Sequence, residues 1–73
     1  MPKVPRLSSR KLLSILLKLG FYQHHSTGSH ANLRHESKTH LHVVIPLGRT
    51  TLAPKTLKSI LAQAELKVDD LVK

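Results

Sequence analysis

Residues 24–36, HHSTGSHANLRHE, hold four of the chain's six histidines around a Thr-Gly-Ser turn. Imidazoles at that density suit three chemistries. They can ligate a metal, carry protons near neutral pH because their unperturbed pKa is about 6.5, or sit as polar side chains on the wet side of a sheet. A metal site is poorly supplied here. The chain has no cysteine, and His40 and His42, which alternate onto one strand face, have neither carboxylate nor thiol beside them. His30 is set apart because it follows Gly28-Ser29, whose turn N–H groups can meet an anion. Turn position and charge alone leave His30 open between an exposed strand-end residue and a proton-transfer group.

The charge of the whole chain narrows the setting. Twelve Lys and Arg stand against four Asp and Glu, a net charge of +8, and the first acidic residue is Glu36. Such an excess favours polyanions through counterion release from phosphates, so nucleic acid is the expected partner. Arg10, Lys11, Arg34, Lys38 and Arg49 are the cations available for phosphate contact; Tyr22 can stack on a base, but a lone tyrosine at a strand start is more often a packing residue. The same cations would equally serve ordinary solubility. Residues 11–20 are apolar after basic residues, as in a secretory leader, but Lys18 interrupts the run and no small-residue cleavage site follows. No apolar run approaches the roughly 18 residues that span a bilayer, so a cytoplasmic protein without a membrane partner is expected.

These side chains need a frame, and 73 residues allow one modest core. Residues 1–7, with Pro2 and Pro5, are expected to form a flexible tail, and residues 8–73 a single domain. Ser8 or Ser9 can cap a helix running to about Leu19, with Leu12, Leu13, Ile15, Leu16, Leu17 and Leu19 as a broad apolar face and Gly20 as its left-handed end. The period then changes from about 3.6 to 2. Residues 21–26 read as a strand, Gly28 as a turn, and residues 30–36 as a second strand with Ala31, Leu33 and His35 on one face and His30, Asn32 and Arg34 on the other. A third strand over residues 39–46 ends at Pro46. Pro54 suits the first position of a second helix, where Leu57, Ile60, Leu61 and Ala64 form one stripe. The predicted fold is α+β, in the order α-β-β-β-α, with two helices covering one face of a three-stranded antiparallel sheet. That arrangement is similar to double-stranded RNA-binding domains.

The order and spacing of these features resemble the HicA family, the toxins of HicAB-type toxin–antitoxin systems. The elements are Gly20-Phe21 opening the first strand, Gly28-Ser29-His30 opening the second, the apolar strand ending at Pro46, and the helix around Leu52, Pro54, Thr56-Leu57 and Ile60-Leu61. The resemblance covers about residues 8–72. It implies a double-stranded RNA-binding-like fold that cleaves mRNA without metal or cofactor. His30 would be the catalytic histidine, and a HicB-like antitoxin would form a hetero-oligomer with the toxin by covering the site. Two positions depart from the pattern: no histidine follows Pro46, and Lys55 stands where many relatives have glycine.

RNA brings its own nucleophile, the 2′-OH, so its cleavage requires a base, cations for the phosphorane, and an acid for the departing 5′ oxygen. His30 is the expected catalytic group, with Gly28, Ser29, Arg34, Lys11 and Lys38 as the expected RNA-binding residues. His42 would supply the acid if its strand placed it beside His30. His24 and His25 are expected on the surface, and His35 as a partly covered structural residue. The rival reading is a non-catalytic double-stranded RNA-binding module.

Overall fold

The computed structural model describes residues 6–71, with the backbone alone for Ser26 and Thr27. The elements run α1 (Ser9–Lys18), β1 (Phe21–Thr27), β2 (His30–His35), β3 (His42–Pro46) and α2 (Pro54–Ala64), followed by a 3-10 turn, Val68–Leu71. This is the α-β-β-β-α order expected from the periodicities. Residues 1–5 of the expected tail lie outside the described residues. Leu7 packs against the core, and its carbonyl accepts from the Leu52 N–H at 2.8 Å.

Ser8 caps α1, its hydroxyl accepting from the Lys11 N–H at 3.1 Å. Leu12 and Leu16, one turn apart, are fully buried, and Leu13 and Ile15 pack beside them. The apolar face is narrower than the sequence suggests, for Leu17 and Leu19 are exposed. A helix laid on one sheet turns a single stripe inward, and Leu17 points about 100° away from Leu16. Gly20, at φ 99°, turns the chain from α1 into β1. A Cβ there would lie 2.8 Å from Nε2 of His35, so any other residue would strain the backbone and push against the His35 ring.

The strands form an antiparallel sheet in the order β1-β2-β3. Ala31 faces Ile45 and Leu33 faces Val43 across β2 and β3, and all four are fully buried. β3 starts at His42, later than expected, because the Leu41 N–H closes a turn onto the Lys38 carbonyl at 3.0 Å. Pro54 opens α2, whose Leu57, Ile60, Leu61 and Ala64 are buried as their spacing predicts. The buried stripes of both helices join the inward strand residues in one core, with Leu71 closing it after α2. Hence, among the described residues, no helix covers the face bearing Tyr22, Asn32, Arg34 and His42.

Candidate active site

His30 opens β2 at one end of the sheet, opposite Thr27 of β1 and Pro46 of β3. Gly28 takes a φ of 57° in the turn before it, with nothing within 4 Å of where a Cβ would stand. The turn is therefore open above its backbone. Ser29 Oγ lies 3.3 Å from Nδ1 of His30. A hydroxyl can donate or accept, so Ser29 can hold the ring in either neutral tautomer and leave Nε2 for a substrate. Just past the ladder, the Leu47 N–H donates to the Ser29 carbonyl at 2.6 Å, tying the segment after β3 to this turn.

That segment is also held from below. Ser9 is buried; its hydroxyl donates to the Pro46 carbonyl at 2.6 Å and accepts the Arg49 N–H at 3.1 Å. The Ser9 N–H donates to the Arg49 carbonyl at 2.9 Å. The two adjacent serines thus divide the work: Ser8 caps the helix, and Ser9 locks its first turn to residues 46–49 beneath His30.

α2 supplies the other wall. His30 shares an open cleft of about 450 Å³ with Lys55, Thr56, Ser59 and Gln63. Lys55 and Ser59 stand one turn apart, as do Ser59 and Gln63, so a polar stripe flanks the buried stripe of α2. The Gln63 Oε1 accepts the Val44 N–H at 3.0 Å, which pins α2 to the otherwise open edge of β3. Pro46 and Thr56 also line a second cleft with Arg49 and Thr51, and Arg49 lines a third with Arg10. Three cations, Lys55, Arg49 and Arg10, therefore follow one line of clefts leading away from His30. Among the described residues, none that lines the three is acidic.

The other expected residues are spread more widely. Gly28 and Ser29 adjoin His30. Arg34 shares its face of the sheet but lies four residues along β2, about 13 Å away at strand spacing. Lys38 is in the loop at the far end, where its N–H donates to Nδ1 of His35. Lys11 is exposed on α1 and lines none of the three clefts. His42 does not reach His30. The register puts it opposite Arg34, with its Nε2 3.2 Å from Oδ1 of Asn32, so the condition on which it would supply the acid is not met.

The remaining histidines have separate roles. Contrary to the sequence expectation, His40 does have a carboxylate beside it, Glu65 of the turn after α2 at 3.2 Å, while His42 engages Asn32. Among the described residues, no three His, Cys, Asp or Glu side chains gather as a metal site. His35 is structural. Its Nε2 meets the Leu19 carbonyl at 3.0 Å, while its Nδ1 accepts the N–H groups of Ser37 and Lys38 at 3.1 and 3.0 Å. This assigns the proton to Nε2. Its ring stands edge-on to Phe21.

Comparison with known families decides the class: a family model described as the HicA toxin of bacterial toxin–antitoxin matches residues 9–66. The chain belongs to the HicA family. The match runs from the first residue of α1 to just beyond α2, and so includes His30 and the whole α2 wall. HicA proteins are the toxins of toxin–antitoxin pairs, which implies an antitoxin partner. None of the curated proteins compared with the chain matches it. Among the described residues, no helix is long and apolar enough to cross a membrane. The α2 contribution, Lys55 with Ser59 and Gln63, is what sequence reasoning missed. Its signal was the polar i, i+4 spacing beside the Leu57 stripe, but only the packing of α2 beside β3 shows that this stripe meets His30.

Proposed function

We propose that this HicA chain is a metal-independent endoribonuclease that cleaves mRNA in the cytoplasm, with His30 as the catalytic residue. The observation that carries this reading is a turn-mounted, exposed imidazole in an open cleft where, among the described residues, the one charged neighbour is Lys55. His30 takes the proton from a ribose 2′-OH as the O2′–P bond forms. The turn N–H groups of Gly28 and Ser29 and the Lys55 ammonium balance the charge of the phosphorane. As the P–O5′ bond breaks, Lys55 gives a proton to the 5′ oxygen. The products are a 2′,3′-cyclic phosphate and a 5′-hydroxyl. Arg49 and Arg10 hold the phosphates that follow along the clefts.

A HicB-like antitoxin would silence the enzyme by covering the His30 cleft. That cleft is shallow and open, so a partner need only lie across it.

The test is incubation of the purified chain with RNA in EDTA, alongside His30→Ala. Cleavage by the first and not by the second, with unchanged circular dichroism, supports the reading. RNA binding without cleavage would instead favour a non-catalytic RNA-binding module.

A further inference from the structure

The uncovered face of the sheet is not an ordinary wet face. β1 carries a bulge between Gln23 and His25, where the register with β2 shifts. Without it, simple alternation from Gln23, which faces Leu33 on the core side, would send His25 toward Ala31 and the core. With it, His25 stands opposite Asn32 on the uncovered face. His24 stays on that face too, its ring edge-on to Tyr22 at 6.4 Å. A bulge that re-aims a side chain is a built feature of a sheet, and here it places two successive imidazoles beside an exposed tyrosine.

The centre of the face continues the pattern. Arg34 lies between Tyr22 of β1 and His42 of β3. Asn32 Oδ1 is taken by Nε2 of His42, so the Asn32 amide N–H₂ remains to donate outward. No strand position on this face is acidic. The face therefore combines flat rings, one guanidinium and an oriented amide within a chain of net charge +8.

We propose that this face is a binding track for single-stranded RNA, whose unpaired bases stack on Tyr22, His24, His25 and Arg34. The strand then leads along β2 to the phosphate held at His30. The proposal rests on the reading that the chain acts on RNA. Charge complementarity selects a polyanion, and flat exposed rings select splayed bases, because stacking on aromatic and guanidinium planes is how proteins hold single strands. An A-form duplex keeps its bases stacked within and offers backbone and a shallow groove, which these rings cannot use. The helices, with Arg10 and Arg49 at their end of the molecule, take the backbone beyond the scissile phosphate.

The test measures binding apart from cleavage. A labelled 2′-O-methyl single strand, which lacks the attacking hydroxyl, is titrated by fluorescence anisotropy against the full chain, Tyr22→Ser and Arg34→Gln, and against a duplex of equal length. Each substitution should weaken single-strand binding about tenfold and leave duplex binding within twofold. In cleavage of ordinary RNA the loss should fall on KM rather than kcat. Unchanged single-strand affinity in folded variants overturns the track, as does an equal loss for the duplex. Lost affinity for the antitoxin with unchanged RNA affinity also overturns it and assigns the face to the protein partner. Because the probe cannot be cut, a failure of the catalytic reading would show separately, as absent cleavage with this binding pattern intact.

Discussion

Replacing Ser9 with Ala removes one small hydroxyl, yet it should be among the most damaging polar substitutions in the chain. The side chain is 3% exposed and holds two backbone groups at once, the Pro46 carbonyl at 2.6 Å and the Arg49 N–H at 3.1 Å. Pro46 is half-buried, so its carbonyl has poor access to water and its loss costs about 1–2 kcal/mol. Arg49 is exposed, and its N–H can turn to solvent for about 1 kcal/mol or less. Together this is about 1–3 kcal/mol, a large part of the stability of so small a domain. For a domain of this size it corresponds to a fall in melting temperature of roughly 4–24 °C. The neighbouring Ser8→Ala loses only a helix cap, about 1 kcal/mol and roughly 4–8 °C. Both are best compared by thermal circular dichroism in a His30→Ala background, to avoid toxicity during expression. If Ser9→Ala melts no lower than Ser8→Ala, the lock beneath residues 46–49 is not what holds that segment.

Three further outcomes are expected. Gly20→Ala should cost about 1–3 kcal/mol, since it combines a left-handed backbone with a Cβ 2.8 Å from His35. Denaturant titration should show that the cost shrinks in a His35→Ala background; equal costs in both would remove the steric part of the explanation. Lys55→Met should slow single-turnover RNA cleavage by about 100-fold, whereas Lys58→Met, which does not line the His30 cleft, should leave it within twofold. Similar rates for both variants would take Lys55 out of the chemistry. Ser29→Ala should lower the cleavage rate about fivefold, the worth of one neutral hydrogen bond to the ring, and a rate equal to wild type would show that Ser29 does not orient His30.

Local signals made the elements legible in the sequence. The change from a period of about 3.6 to 2 falls at Gly20, and Pro54 opens α2 before its apolar stripe. The outward set His30, Asn32 and Arg34 also followed from alternation, and the ladder bears it out. What depends on pairing was not legible. The bulge that keeps His24 and His25 on one face is set by a register that no local pattern encodes. For the same reason, the distance between His42 and His30 could not be read from β3 alone. Leu17 and Leu19 looked like core because propensity does not say how wide a stripe a single sheet can cover. Lys55 was visible as an extra cation, but its place opposite His30 depends on where α2 packs.

The central claim is that His30 moves a proton for attack by the substrate's own 2′-OH. The most direct measurement is mass spectrometry of the fragment ends produced from a defined RNA in EDTA, for wild type and His30→Ala. The account predicts 2′,3′-cyclic phosphate and 5′-hydroxyl ends from the wild type and no fragments from the variant. Ends bearing a 3′-hydroxyl and a 5′-phosphate, or equal cleavage by His30→Ala, would contradict it.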